Sequence, residues 1–369
     1  MDMFLQQLNR DIIHRKANGK TIWQPRICAW YDDRVFRGEE MPGRFKGCSK
    51  KQIYEKIGCS DRVYDFIACL EANYDDSVKC EIKELDELTD SHTIITPVGS
   101  ITQIMAKNRD NPGLHPKKWF VETEEDLKVY MYMEEATIYS FNMETYHRIY
   151  EDVGHLGLPS AFIPRVNIQK LFLEAAGVEN GVYLLTDCPD TVEEYFKILG
   201  KSHEQVYKLY CDSPIEWIDY GDNLHCKITP PDLFKKYVIP EYEKRYEYFH
   251  RAGKWVYSHW DGDVADYLPF ARCCFLDGIE AITPEPQGDI TLAEVKKALG
   301  DDMFLIDGVA ALLFNGTYPE AMLRAQVTEL LSLFEGQLVL GISDELPSDG
   351  LLNRVELVND MVNEFNARH

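Results

Sequence analysis

Apolar positions along the chain switch between helical and alternating spacing, and the switching predicts the architecture. Residues 1–20 carry Phe4, Leu5, Leu8, Ile12 and Ile13 on one helical side, with Gly19 as a stop. Residues 21–30 (TIWQPRICAW) read as a first strand running out into Asp32 and Asp33. Between 35 and 75 an irregular stretch gives way to helical spacing, with Ile53, Ile57, Val63, Phe66 and Ile67 as core positions. Residues 75–160 depart from this order. Strand-like residues 91–105 surround a turn at Pro97-Val98-Gly99-Ser100, Trp119-Phe120-Val121 is another short β run, and a helix is expected from about Glu124. This stretch reads as a hairpin-bearing insertion wound over the main domain.

Beyond 160 the rhythm is regular. Strand-like runs fall at 161–163, 182–185, 215–219, 255–259, 279–283, 303–306 and 338–342, separated by helical segments. Several helices carry start signals: Thr229-Pro230-Pro231-Asp232, and the capping-box patterns Thr291-Leu292-Ala293-Glu294 and Thr317-Tyr318-Pro319-Glu320. Gly253, Gly300 and Gly336 end the segments. With 21–30 this makes eight strands in one alternating order, the number that closes a (β/α)8 TIM barrel. The expected architecture is therefore α/β: a single barrel domain over 1–369, with an N-terminal helix and 75–160 as an insertion.

Charge and composition narrow the function. The chain of 369 residues carries a net charge of −23, which argues against nucleic acid, since phosphate binding needs concentrated Lys and Arg. The ten Cys are scattered without CxxC spacing and read as reduced, small buried hydrophobes. The charged start MDMFLQQLNRDIIHRK is no secretory signal, and no apolar run reaches the ~18 residues a membrane span needs, so a cytoplasmic location is expected.

In a barrel the strand exits converge on one mouth. Here they supply Asp32 and Asp33; Asp187; Asp219, Asp222, Asn223 and His225; His259 and Asp261; Glu285; Asp307; and Asp344 with Glu345. No Gly-rich phosphate loop, GxSxG elbow or HExxH pair is present. His259 and Asp261 stand two apart on one strand, so both side chains point the same way. With Asp344 or Glu345 they make a candidate open metal site of catalytic type. In the alternative, His259 hydrogen-bonds a neighbouring carboxylate and Asp261 caps the next helix. Trp217, Tyr220, Trp255 and Trp260 are expected in the core.

Taken together, several segments resemble the uroporphyrinogen decarboxylase superfamily, whose (β/α)8 barrels include the decarboxylase and cobalamin-dependent methyltransferases. The resemblance covers nearly the whole chain. It is carried by Ile95-Thr96-Pro97-Val98-Gly99, Ser213-Pro214 onward to Gly221-Asp222-Asn223, Ile228-Thr229-Pro230 to Pro240, and Gly253-Lys254 to His259-Trp260-Asp261-Gly262. It continues in Gly278-Ile279-Glu280, Gly288-Asp289 to Leu299-Gly300, and Ile342-Ser343-Asp344-Glu345-Leu346-Pro347. The decarboxylase's Arg-rich amino-terminal signature is not spelled here; only Arg26 and Arg34 stand in that stretch. The methyltransferase branch binds zinc through an HxC pair and a late Cys. His259 falls on its His, Asp261 on its first Cys, and Asp344 approximately on its late Cys. Replacing soft thiolates by carboxylates suits polarisation of an ether oxygen. The resemblance therefore implies an O-demethylase-type methyltransferase. It would move a methyl group from an aryl methyl ether to a corrinoid protein, with zinc on His259, Asp261, Asp344 and Glu345 and with Asp222 or Glu285 positioning substrate or handling a proton. The alternatives are a metal-free decarboxylase on a smaller substrate and a non-catalytic tetrapyrrole- or corrinoid-binding scaffold. Barrels of this superfamily are sometimes homodimers.

Overall fold

A computed structural model describes residues 4–369. The chain folds into two compact units. The first holds the described residues up to Ile67 together with Met143–Ile163 and Pro214–His369; the second holds Ala68–Asn142 and Pro164–Ser213.

The first unit is built on a curled, seven-stranded parallel sheet. In chain order its strands are β1 (Ile22–Trp23), β2 (Ser160–Phe162), β3 (Trp217–Tyr220), β4 (Trp255–His259), β5 (Gly278–Glu280), β6 (Phe304–Ala310) and β7 (Leu338–Ser343). Their spatial order is β1-β7-β6-β5-β4-β3-β2. β3, β6 and β7 are buried at every position, the signature of a sheet covered on both faces, and apart from Asp219, Asp307 and Ser343 their residues are largely apolar. The segment 60–63 touches both sheet edges. Ser60 N–H donates to the Trp23 carbonyl at 3.0 Å, and Val63 makes an isolated parallel bridge to Pro159. The amphipathic helix Phe4–Ile13 packs Leu8, Ile12 and Ile13 against Ile22, Trp217, Phe304 and Val339, all at the amino ends of their strands. That end of the sheet is closed largely by apolar side chains, with Gln6 and Asn9 of the helix buried on hydrogen bonds to Gly154 and Ser60.

The second unit carries a four-stranded antiparallel sheet, Lys79–Asp86, Thr89–Thr96, Gly99–Lys107 and Leu114–Lys118 in sequential order. The turn expected at 97–100 is the tip of its central hairpin. A two-stranded antiparallel pair, Leu70–Tyr74 with Thr137–Phe141, and the helices Glu124–Glu135 and Pro189–Asp212 complete it. Thr123 caps the first of these helices in a reciprocal capping box with Asp126.

Several expectations are corrected. Residues 182–185 are not a strand but lie in the helix Gly177–Asp187; its buried positions Gly177, Gly181 and Leu184 have helical spacing, which the short apolar run masked. The strand expected over 21–30 lasts two residues, because Pro25 has no N–H for the ladder and a helix, Cys28–Phe36, follows. Asp32 and Asp33 therefore sit on a helix, and Asp187 ends one. The capping box at Thr291 forms. The one at Thr317 does not: its hydroxyl donates to Asn315 Oδ1, and Pro319 occupies the cap of Glu320–Leu333. Thr229 likewise gives way to Pro230 as the cap before Pro231–Leu233. No helix among the described residues is long and apolar enough to cross a membrane.

Gly341, in the middle of β7, shows how tightly the sheet is fitted around its charges. A Cβ there would stand 2.1 Å from Asp307 Oδ1 and 3.0 Å from the Gln24 carbonyl. Gly341→Ala is expected to lower stability by about 1–3 kcal/mol through overpacking, read as a shifted urea midpoint at unchanged slope.

Candidate active site

The carboxyl ends of the strands gather side chains that apolar packing does not explain. Asp219 on β3, Ser258 and His259 on β4, Glu280 on β5 and Asp307 on β6 are all buried. Arg62, from the segment joining the sheet edges, is enclosed among them. Its Nη1 donates to Glu280 Oε2 at 2.6 Å, its Nη2 to Asp307 Oδ1 at 2.7 Å, and its Nε to Gln24 Oε1 at 3.0 Å. Arg26, just past β1, donates to Glu280 Oε1 (3.3 Å), Asp344 Oδ1 (3.2 Å) and Glu345 Oε1 (3.0 Å). His259 Nδ1 lies 2.8 Å from Glu280 Oε1. Glu280 thus faces two guanidiniums and an imidazole.

These neighbours set the protonation states. Burial alone would raise the Glu280 carboxyl, but Arg62, His259 and Arg26 hold it well below the usual carboxylate range. Burial would lower His259, yet the hydrogen bond and charge of Glu280, aided by Asp344, raise it to about 9. His259 is therefore an imidazolium at neutral pH, and its Nδ1 donates to Glu280. Its Nε2 lies 3.8 Å from Asp344 Oδ1, beyond hydrogen-bond reach. Asp219 is pushed the other way, well above its ordinary value, by burial and by the Glu280 charge. The Tyr64 hydroxyl lies 2.9 Å from Asp219 Oδ2 and 2.8 Å from Glu280 Oε2. Its single proton goes to the ionised Glu280, so the contact to Asp219 is satisfied when Asp219 is the neutral acid and donates to Tyr64. Asp307 is also raised, to about 6, by burial against the opposing pull of Arg62.

Four of the seven non-glycine positive-φ residues among the described residues lie at this end, the others being Arg15, Asn18 and Phe275. Asn223, Ala281, Asp307 and Asp344 take positive φ of 48°, 63°, 75° and 64°. Each stands at or just beyond the carboxyl half of a strand, where sharp bends aim side chains inward.

The residues expected at the site separate into groups. His259, Asp344 and Glu345 come together, joined through Arg26. Asp222 is buried and accepts from the Tyr242 hydroxyl at 2.6 Å, and that hydroxyl also contacts Ser258 Oγ at 2.7 Å, one residue from His259. Asp261 is half-buried, and its charge adds to the raising of the Asp344 pKa, which burial dominates. Glu285 is exposed; its backbone, not its carboxylate, is engaged, accepting from Gln326 Nε2 and donating to the Ile290 carbonyl. Trp217, Tyr220 and Trp260 are core residues, as expected.

The expected zinc ligand set does not assemble. Among the described residues no group of three or more His, Cys, Asp or Glu is arranged to hold a metal ion. The physical reason is that Arg26 takes Asp344 and Glu345, the carboxylates the ligand set needs. As placed, both late carboxylates are engaged by Arg26, and a zinc ion would have to compete with it for them.

Sequence reasoning missed Arg62 and Tyr64 and gave Glu280 no role. Arg62 and Tyr64 lie in a segment whose only ladder contact is one bridge, too short to show alternation. Glu280 did leave a signal: a carboxylate inside the apolar run Gly278-Ile279-Glu280-Ala281-Ile282.

No protein-family profile matches the chain, and no curated protein matches it. Among solved structures, a methyltransferase from Methanosarcina mazei aligns over 97% of this chain and 98% of its own, with a TM-score of 0.58 at 13% identity. A B12-independent methionine synthase from Shewanella aligns over 96% and 99% at 10% identity, with a TM-score of 0.44. At such identities the likeness to the first is one of fold: an α/β chain with a curled parallel sheet, consistent with a TIM-barrel-like architecture.

Glu280→Gln leaves Arg62, Arg26 and His259 without their shared carboxylate. It is expected to cost about 3–5 kcal/mol in urea unfolding, since a buried charge loses its partner. In the wild type, His259 is raised on folding, so its contribution is complete below about pH 6.5 and is lost as pH rises through about 9. Urea midpoints measured across that window, with and without His259→Gln, check the sign.

Proposed function

We propose that this chain is a methyltransferase that takes a methyl group from an oxygen-bound donor, an aryl methyl ether, and delivers it to a corrinoid protein. The observation that carries the reading is His259. Its Nδ1 is fixed by Glu280, and its charged Nε2–H stands at the strand exits without a hydrogen bond. The fold shared with the M. mazei methyltransferase supports the reaction class. We also propose that the curled sheet is the greater part of a (β/α)8 barrel, with segment 60–63 in the place of the eighth strand.

An aryl ether resists demethylation because its leaving oxygen must accept a full negative charge. His259 answers that need as an acid. As the methyl acceptor approaches from the side opposite the oxygen, the CH3–O bond breaks and an acceptor–CH3 bond forms. The electron pair stays on the oxygen, and the Nε2 proton moves to it, releasing a phenol. Glu280 holds the imidazole orientation and its charge before transfer, and Asp344, half-exposed and 3.8 Å from Nε2, would pass a proton from solvent back to it. The corrinoid supplies the nucleophile that accepts the methyl group.

A second reading, decarboxylation without metal, is favoured by Arg26 beside the same acid. Arg26 would hold a substrate carboxylate while His259 protonates the carbon left when CO2 departs.

Aryl methyl ethers supplied with a reduced corrinoid protein provide the test. Phenol release is expected from the wild type, with a loss of about 10²–10⁴-fold in His259→Gln. The rate is expected to fall as pH rises through about 9, as the acid deprotonates. CO2 release from a carboxylate substrate, with no phenol from any ether, replaces this reading by the second.

A further inference from the structure

The second unit contains a cavity of its own, of about 380 Å³, within the range of small-molecule sites. Phe120, Tyr130, Tyr139 and Ile94 give it aromatic and apolar walls. Lys170 and Glu134 also line it. They form a buried ion pair, Nζ to Oε1 at 2.9 Å, with side-chain exposures of 11% and 1%. The pair is badly aligned: Glu134 Oε1 accepts no hydrogen bond despite the short distance. Lys170 has donors to spare, since its other carboxylate neighbour, Glu174, stands 3.7 Å away.

The ion pair does not fill the capacity of Glu134 Oε1, which has no other partner and can accept a second bond. The arrangement is not required by a regular helix either. Lys170 ends the helix Asn167–Lys170 and leads directly into a π-helical turn, Leu171–Ala175, a distortion frequent at functional sites. A ligand completing this pair must offer a donor to Glu134 and an acceptor to Lys170. A hydroxyl does both. The walls call for a ring. Glu134, Glu174 and the wall residue Glu81 outnumber the charge of Lys170, which disfavours an anionic ligand.

We infer that this cavity binds an uncharged phenolic molecule, with its ring against Phe120 and Tyr130 and its hydroxyl alongside the Lys170–Glu134 pair, accepting from Nζ and donating to the carboxylate. The inference is independent of the proposed methyl transfer and concerns binding alone.

Calorimetric titration of the full chain with 4-methylphenol, toluene and 4-methylbenzoate tests it. The phenol is expected to bind about tenfold more tightly than either analogue. Ala72 lines the cavity from an exposed strand position, so Ala72→Trp should fill the space without unfolding the protein, as circular dichroism will check. That variant is expected to lose phenol binding. Glu134→Gln is expected to lose the preference for phenol over toluene. Tighter binding of toluene or the benzoate overturns the ligand class. No binding of the phenol at about 1 mM, or binding that survives Ala72→Trp in a folded protein, overturns the site.

Discussion

The bidentate grip of Arg62 on Glu280 and Asp307 is the contact on which the first unit's site depends. A guanidinium enclosed by protein is tolerated only with ionised partners in hydrogen-bond reach, and here two neighbouring strands each contribute one. Everything else at the site follows from Glu280 being charged. Its charge lifts His259, adds to burial in raising Asp219 and turns the Tyr64 hydroxyl toward itself. Deleting the arginine would leave not one gap but a reordered set of protonation states.

Such a network is a poor way to gain stability. Well-packed apolar residues of similar volume usually serve as well or better than buried ion pairs. Its location at the strand exits, beside four residues with left-handed backbone, argues for chemistry instead of cohesion. Cohesion is found at the opposite end, where the N-terminal helix and the first residues of the strands form a mainly apolar layer. The division of labour is spatial: one end of the sheet holds the fold, the other holds charges in unfavourable company.

How much of this the sequence exposed depended on length and period. β4 was legible to the residue because Lys254 and Gly253 mark its start and a polar run marks its end. β7 was legible as an apolar run, whereas β6 was read only to Ile306 because Asp307 and Gly308 interrupt its pattern before it ends at Ala310. The helix Gly177–Asp187 was not, because four consecutive apolar residues fit a strand as well as a helix, and only burial reveals that two glycines and a leucine make its inner face. His259, Asp344 and Glu345 were found at the strand exits, but their mutual arrangement was not. The ligand reading counted carboxylates and an imidazole without the arginine, 318 residues distant in sequence from Asp344, that bonds to it. Charge pairing of that range leaves no local pattern. Glu285 misled for a related reason: a carboxylate after a strand can as easily face solvent as the mouth, and here its main chain does the bonding.

The short segment between the sheet edges has a further consequence. Where neighbouring strands are stitched by ladders of backbone amides, whose bonds do not titrate, segment 60–63 offers only isolated backbone contacts to each edge. Part of the lateral hold at this seam passes through neutral hydrogen bonds of Ser60 and Asp61, and part through the side chain of Arg62 to acids two and three strands inward from β1. The integrity of the sheet is thus, at this seam, in part an electrostatic quantity. Proton activity acts there on architecture, and through the same carboxylates, on chemistry.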